Sequence, residues 1–193
     1  MSERTGGETR KKILDAGKKL FSEQGYGEAS MRAIAGEAGI SPACVYLYFK
    51  GKEALYLTLM TEWMDELARE TKSALDGVQE PVEALAAFIR CSLSFAARQR
   101  EIIMLHGRAA GFAFASERKQ EFFRSRRAII ERIVAEGVAS GAFGPCDPAA
   151  VAKVVFSTIR GYVFAMMVED DALYAPDACV ELILNGLARR NGV

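Results

Sequence analysis

The stretch from Ser30 to Lys52, SMRAIAGEAGISPACVYLYFKGK, limits what this chain can fold into more than any other. Ser30 can N-cap a first short helix that carries Met31, Ile34, Ala35 and Ala38 on one face at helical spacing. Gly39 ends that helix, because a sharp turn between crossing helices needs a residue that tolerates positive φ. Ser41-Pro42 then starts a second helix: serine caps it, and proline at the first helical position gives up only an amide that would be orphaned anyway. This helix buries Val45 and Phe49 and leaves Pro42, Ala43, Tyr46 and Leu47 on its outer face. A short helix, crossed by another and offering small groups at its exposed N-terminal end, suits a DNA major groove. The pattern is that of a candidate helix-turn-helix.

More motifs flank it. Thr9-Arg10-Lys11-Lys12-Ile13-Leu14-Asp15-Ala16 and Leu20-Phe21-Ser22-Glu23-Gln24-Gly25-Tyr26 precede it. Ile34-Ala35, Ala38-Gly39-Ile40-Ser41, Val45-Tyr46 and Tyr48-Phe49 lie within it, and Lys50-Gly51-Lys52-Glu53-Ala54-Leu55 closes it. In this order and spacing, covering about a quarter of the chain, the set resembles the DNA-binding domain of TetR-like (tetracycline-repressor-type) regulators. The resemblance implies an all-α fold: an N-terminal three-helix DNA-binding head over residues 1–52, and a helical ligand-binding and dimerisation body over 53–193.

Composition agrees with a soluble regulator. The chain has 193 residues, half of them hydrophobic and 26% charged. No apolar run reaches the roughly 18 to 20 residues of a membrane span, and the polar N-terminus does not read as a signal peptide, so a cytoplasmic location without membrane association is expected. Cys44, Cys91, Cys146 and Cys179 are scattered without a CxxC pair, so neither a zinc site nor a disulfide framework is indicated. The formal net charge of zero argues against a protein that coats nucleic acid indiscriminately. Charge is nonetheless uneven: up to Lys52 nine Lys or Arg face six Asp or Glu. So small an excess calls for two linked heads acting together.

The remaining periodicity predicts helices throughout, and no segment alternates with period two. Residues 1–8 read as a flexible arm. A helix from about Thr9 to Gln24 buries Ile13, Ala16, Gly17, Leu20 and Phe21 and stops at Gly25. After the helix-turn-helix, a long helix runs from about Lys52 to Leu75, ended by Asp76-Gly77. Pro81 opens the next helix, and an irregular stretch spans Ile102 to Phe114. Further helices cover about Ser116 to Ser140, Pro148 to Val168, and Pro176 to Arg190.

By position in the family, Pro42, Ala43 and Tyr46 approach base edges, whereas Ser30, Ser41, Tyr48 and Lys52 contact phosphates. Each role has a physical basis: hydroxyls and amides at helix N-termini bind phosphate, and a tyrosine offers a ring for a thymine methyl and a hydroxyl donor. Arg32, on the first turn of the leading helix, can reach phosphate or a base. Two positions depart from the family pattern. Leu47 stands where a histidine or aromatic phosphate contact is common, and Cys44 where threonine or a small polar residue is common. A thiol at Cys44 could act as an oxidant sensor, but a small apolar filler is the plainer reading.

The body is rich in methionine and aromatic residues, which can re-pack around varied ligands. The resemblance implies an inducer pocket there, with Trp63, Phe88, Cys91, Phe95 and Met104 as lining candidates and His106 as a polar group. A lone histidine without metal-ligand neighbours supports neither a metal site nor catalysis, no cofactor is implied, and an enzyme is not expected. Val154, Thr158, Gly161, Tyr162 and Ala165, with Leu182, Ile183 and Gly186, offer small or apolar residues at helical spacing. In the family the corresponding helices form a homodimer interface, which sets two recognition helices against a pseudo-palindromic operator. The expected function is therefore a DNA-binding transcriptional repressor released by a small apolar or amphipathic inducer. The alternative is an architectural DNA-binding protein without a ligand.

Overall fold

The computed structural model describes residues 3–100, 102–103, 117–168 and 176–187. Their regular structure is entirely α-helical: α1 (Glu3–Glu28), α2 (Met31–Glu37), α3 (Pro42–Tyr48), α4 (Lys52–Leu75), α5 (Pro81–Arg98), α6 (Glu117–Ser140), α7 (Pro148–Val168) and α8 (Pro176–Leu187). The all-α expectation holds, with a helix-turn-helix domain first and a helical domain after it. One boundary changes. Residues 3–8, read above as a flexible arm, form the opening turns of α1. A Cβ on Gly6 would lie 3.9 Å from the Tyr48 hydroxyl, so this extension rests near the end of α3. Gly25 breaks the helix where a stop was expected, at φ 85° and ψ 159°, but one more turn follows to Glu28.

The chain divides into two compact units. The first holds residues up to Asp65, with Ile102 and Ile103. Its core is built from Ile13, Phe21, Ile34, Val45, Leu55 and Tyr56, each at most 1% exposed. Gly17 is what lets α1 approach α4, because a Cβ there would stand 2.6 Å from a Leu55 methyl. Phe21, Tyr26 and Tyr56 form an aromatic triangle with centroids 5.3 to 6.3 Å apart. Burial pushes the Tyr56 phenol up to about 12. Arg10 lies 5.7 Å from the Phe49 ring centre and pairs with Glu62 at 2.8 Å. The unit therefore extends past residue 52 into α4, since Leu55, Tyr56 and Leu59 belong to the same buried layer.

The second unit comprises Glu66–Arg100 and the described residues from Glu117 onward. Here α5 touches α6, α7 and α8, and α6 packs along α7. Leu85, Phe88, Ile89, Leu93 and Phe95 on α5 have no exposed surface, and Ile130, Ile133 and Val134 are buried on α6, which packs against α5 and α7. The end of α6 is sealed by Gly141 at φ 78°, which turns the chain so that Phe143 lies directly on Gly137. Asp147 caps α7 by accepting from the Ala149 N–H at 3.0 Å. Arg90 pairs with Asp177 at 2.6 Å, an exposed link between α5 and α8. Among the described residues, no helix is long and apolar enough to cross a membrane.

Candidate nucleic-acid interface

The turn between α2 and α3 is built by backbone chemistry readable residue by residue. Ser30 adopts extended backbone and its hydroxyl accepts from the Ala33 N–H at 3.1 Å, which satisfies one of the orphaned amides of α2. At the other end Ala38 is the C-cap and Gly39, at φ 68°, enters the left-handed region. The Gly39 N–H donates to Gly36 O at 3.1 Å and the Ile40 N–H to Ala35 O at 3.0 Å. This pair of bonds is the Schellman motif. Ser41 then accepts from the Cys44 N–H at 3.2 Å, and Pro42 occupies the first turn of α3.

This construction sorts the side chains of α3. Val45 and Phe49 are buried, and Cys44 is half-buried. Pro42 and Ala43 are exposed, and so are two large residues, Tyr46 at 55% and Leu47 at 85%. Ser30, Arg32 and Ser41 are exposed too, and among the described residues Arg32 makes no ion pair or hydrogen bond. Tyr48 is half-buried. Lys52 has an internal partner that the sequence did not reveal: its amine donates to Gly27 O at 2.9 Å and lies 4.6 Å from the Tyr26 ring centre. It thus ties the start of α4 to the end of α1 and keeps two N–H groups for other acceptors. Lys50, exposed beside it and unpaired among the described residues, is a cation to which the sequence reading gave no DNA contact. By contrast Lys19 is committed to Glu37 at 2.7 Å, and its hydrogen bond to that carboxylate raises its pKa.

In the second unit, Phe88, Cys91 and Phe95 share one face of α5, but the two rings have no exposed surface and act as core. Cys91 is half-buried; burial pushes its thiol up, and its Sγ lies 3.9 Å from Thr71 Oγ1. Trp63 is half-buried on the part of α4 that belongs to the first unit. Met104 and His106 lie outside the described residues. On α7, Val154, Thr158 and Gly161 are exposed and Ala165 is half-buried, so they form one stripe. Tyr162 does not join it: at 7% exposure it points into its own unit, 100° round the helix from Gly161. Leu182 and Gly186 on α8 are exposed and Ile183 is half-buried. The apolar side chains Val154, Phe164 and Leu182 are 64%, 62% and 74% exposed. Sequence reasoning missed Arg126, only 5% exposed. Its signal was present: it interrupts the α6 stripe Phe122, Ile130, Ile133 and Gly137 at helical spacing, a cation where an apolar residue belongs.

Residues 13–59 match the family described as "Bacterial regulatory proteins, tetR family". The HTH-type transcriptional regulator BetI of Brucella canis is 34% identical over 94 residues, so the chain spans about half the length of this relative, 48%, with 49% of its own. The fatty acid metabolism regulator protein of Bacillus subtilis is 25% identical across 91% of this chain and 93% of its own. Among solved structures, the complex of triclosan with SmeT, from Stenotrophomonas maltophilia, superposes with a TM-score of 0.75 at 22% identity, covering 94% of this chain and 92% of that one. The capped helix pair, its spacing and these likenesses agree: residues 13–59 belong to the tetR family of bacterial regulatory proteins, and the chain as a whole shares the fold of that family's solved members.

Proposed function

We propose that this protein is a homodimeric, ligand-responsive transcriptional repressor. The observation that carries the reading is the outer face of α3, where Tyr46 and Leu47 stand exposed on a helix too short to stand alone but capped at its start and anchored by Val45. An exposed tyrosine and leucine side by side are costly on a surface with no partner, and both suit a major groove, where they meet thymine methyl groups. Pro42 and Ala43 allow close approach to base edges, while Ser30, Arg32, Ser41, Tyr48 and the spare donors of Lys52 hold phosphates.

The apolar stripe of Val154, Gly161 and Leu182 supports two-fold pairing through α7 and α8. The ligand response is supported by the SmeT complex and by the aromatic and methionine content of the body. Helix α4 supplies residues to both compact units, so a ligand that displaces it changes the spacing of two paired heads. By linkage, DNA and inducer then weaken each other's binding by the same factor.

Binding of the purified protein to DNA from upstream of its own reading frame, against random duplex over a range of salt, tests the proposal. A specificity ratio of about a thousandfold or more is expected. A ratio below about tenfold sinks it in favour of an architectural role.

A further inference from the structure

Among the described residues, Arg126 is a buried cation without a counter-ion. It projects from α6 into the second unit with 5% of its surface exposed. Its NH1 donates to Thr71 Oγ1 at 2.8 Å and its NH2 to Ser92 Oγ. The guanidinium lies 4.4 Å from the Phe88 ring centre and 5.9 Å from that of Phe122. Among the described residues no carboxylate pairs with it, and burial pulls it down to about 10, which still leaves it charged at neutral pH.

As a purely structural strut this cluster is incomplete. A guanidinium has five N–H donors, and the described residues use two of them. The hydroxyl groups that take them are themselves committed: Thr71 Oγ1 donates to Leu67 O and Ser92 Oγ to Phe88 O, each at 2.7 Å. They hold the guanidinium in place and neutralise nothing. A buried charge in that state is destabilising, and an apolar side chain of similar length would pack against the same two rings without the cost. One monovalent anion completes the arrangement.

We infer that Arg126 anchors the carboxylate of an amphipathic small-molecule ligand, held by the hydroxyls of Thr71 and Ser92 and flanked by the rings of Phe88 and Phe122. A carboxylate fits better than a phosphate dianion because Arg126 supplies a single fixed charge and the Thr71 and Ser92 hydroxyl protons are already given to Leu67 O and Phe88 O. The planar fork of a guanidinium also matches two carboxylate oxygens. The aromatic surroundings call for an apolar body behind the acid. This assignment rests on the ligand-responsive reading above and narrows it to one chemical class.

Thermal unfolding of the full chain with decanoate, phenylbutanoate and naphthylacetate, each against its primary amide, tests it, with operator release followed in parallel. At least one acid is expected to raise Tm by roughly 5 to 10 °C at about a hundred times its Kd. Its amide should bind about ten- to a hundredfold more weakly, having lost the charge-assisted bonds. Arg126→Met should erase that difference, and Arg126→Lys should keep part of it as a point charge. The acid-to-amide ratio in the unaltered protein stands even if the methionine variant does not fold. Equal binding of acid and amide, or an acid preference that survives Arg126→Met, overturns the site. If amides alone bind and release DNA, ligand response stands and the anion site falls. If nothing in the panel binds, the anion site falls, and ligand response stands or falls on operator release by neutral and cationic apolar compounds.

Discussion

Tyr46 and Leu47 are adjacent on α3, yet their surroundings make them different tools. Both are exposed, but only tyrosine adds a hydroxyl that can donate to a base or accept through water. Tyr46→Ala should lower affinity for the operator by at least about tenfold, with little loss on random DNA and no change in thermal unfolding. Leu47→Ala should cost about 1 to 3 kcal/mol only at sites carrying a thymine under it, so a systematic base substitution of the operator would locate that position. Tyr56 is the opposite case, a tyrosine at 1% exposure whose phenol burial pushes up from 10.0 to about 12. Its neutral form is the one the fold accepts. The contribution is therefore intact below pH 10 and lost as pH rises towards 12, because the unfolded chain sheds the proton first. Compared with Tyr56→Phe, the unaltered protein should hold a constant stability difference below pH 10. Above it, the difference should move in favour of phenylalanine by up to about 1.4 kcal/mol per pH unit. Arg126, shifted the other way, is present in both proteins and cancels in that comparison.

At the scale of elements, what was legible in the sequence was punctuation. Ser30 and Ser41 act through a hydroxyl on the adjacent helix turn, and Gly39, Pro42, Gly77 and Pro81 through their own backbone, so residue type alone announces them, and α2 to α5 begin or end where these residues require. Periodicity exposed the buried face of α1, including Gly17, without showing that Leu55 is what fills the space above it. The start of α1 was not legible, because Gly6 and Gly7 argue locally for a loose arm while the described helix runs through them. Arg126 and the Lys52–Gly27 link were also hidden, since each joins segments far apart in the chain. Gly137 tests the element-level reading. Its hydrogen faces the ring of Phe143, so Gly137→Ala should cost about 1 to 3 kcal/mol in urea denaturation despite alanine's better helix propensity. Gly36→Ala, in open space on α2, should instead gain roughly 0.5 to 1 kcal/mol.

For the molecule as a whole, charge and apolar surface point to assembly. A head with nine basic and six acidic residues has weak non-specific attraction for DNA, so useful affinity must come from joining two of them. The surface that can do the joining is the one that makes least sense in water. Val154, Phe164 and Leu182 are apolar and more than 60% exposed, and Gly161 has nothing within 4 Å of where a Cβ would stand. Small residues between large exposed ones let two helices approach closely across a two-fold axis, where the same patch meets itself. In the proposed dimer two glutamates placed there meet each other, and in the protomer they meet only water. Val154→Glu and Leu182→Glu should therefore each shift sedimentation towards monomer at micromolar concentration. Operator affinity should fall at least about a hundredfold as the gain from linked heads is lost, while the helical content of the protomer stays unchanged. Persistence of a dimer in both variants would move the interface elsewhere on the surface and leave the exposed stripe of α7 and α8 without a role.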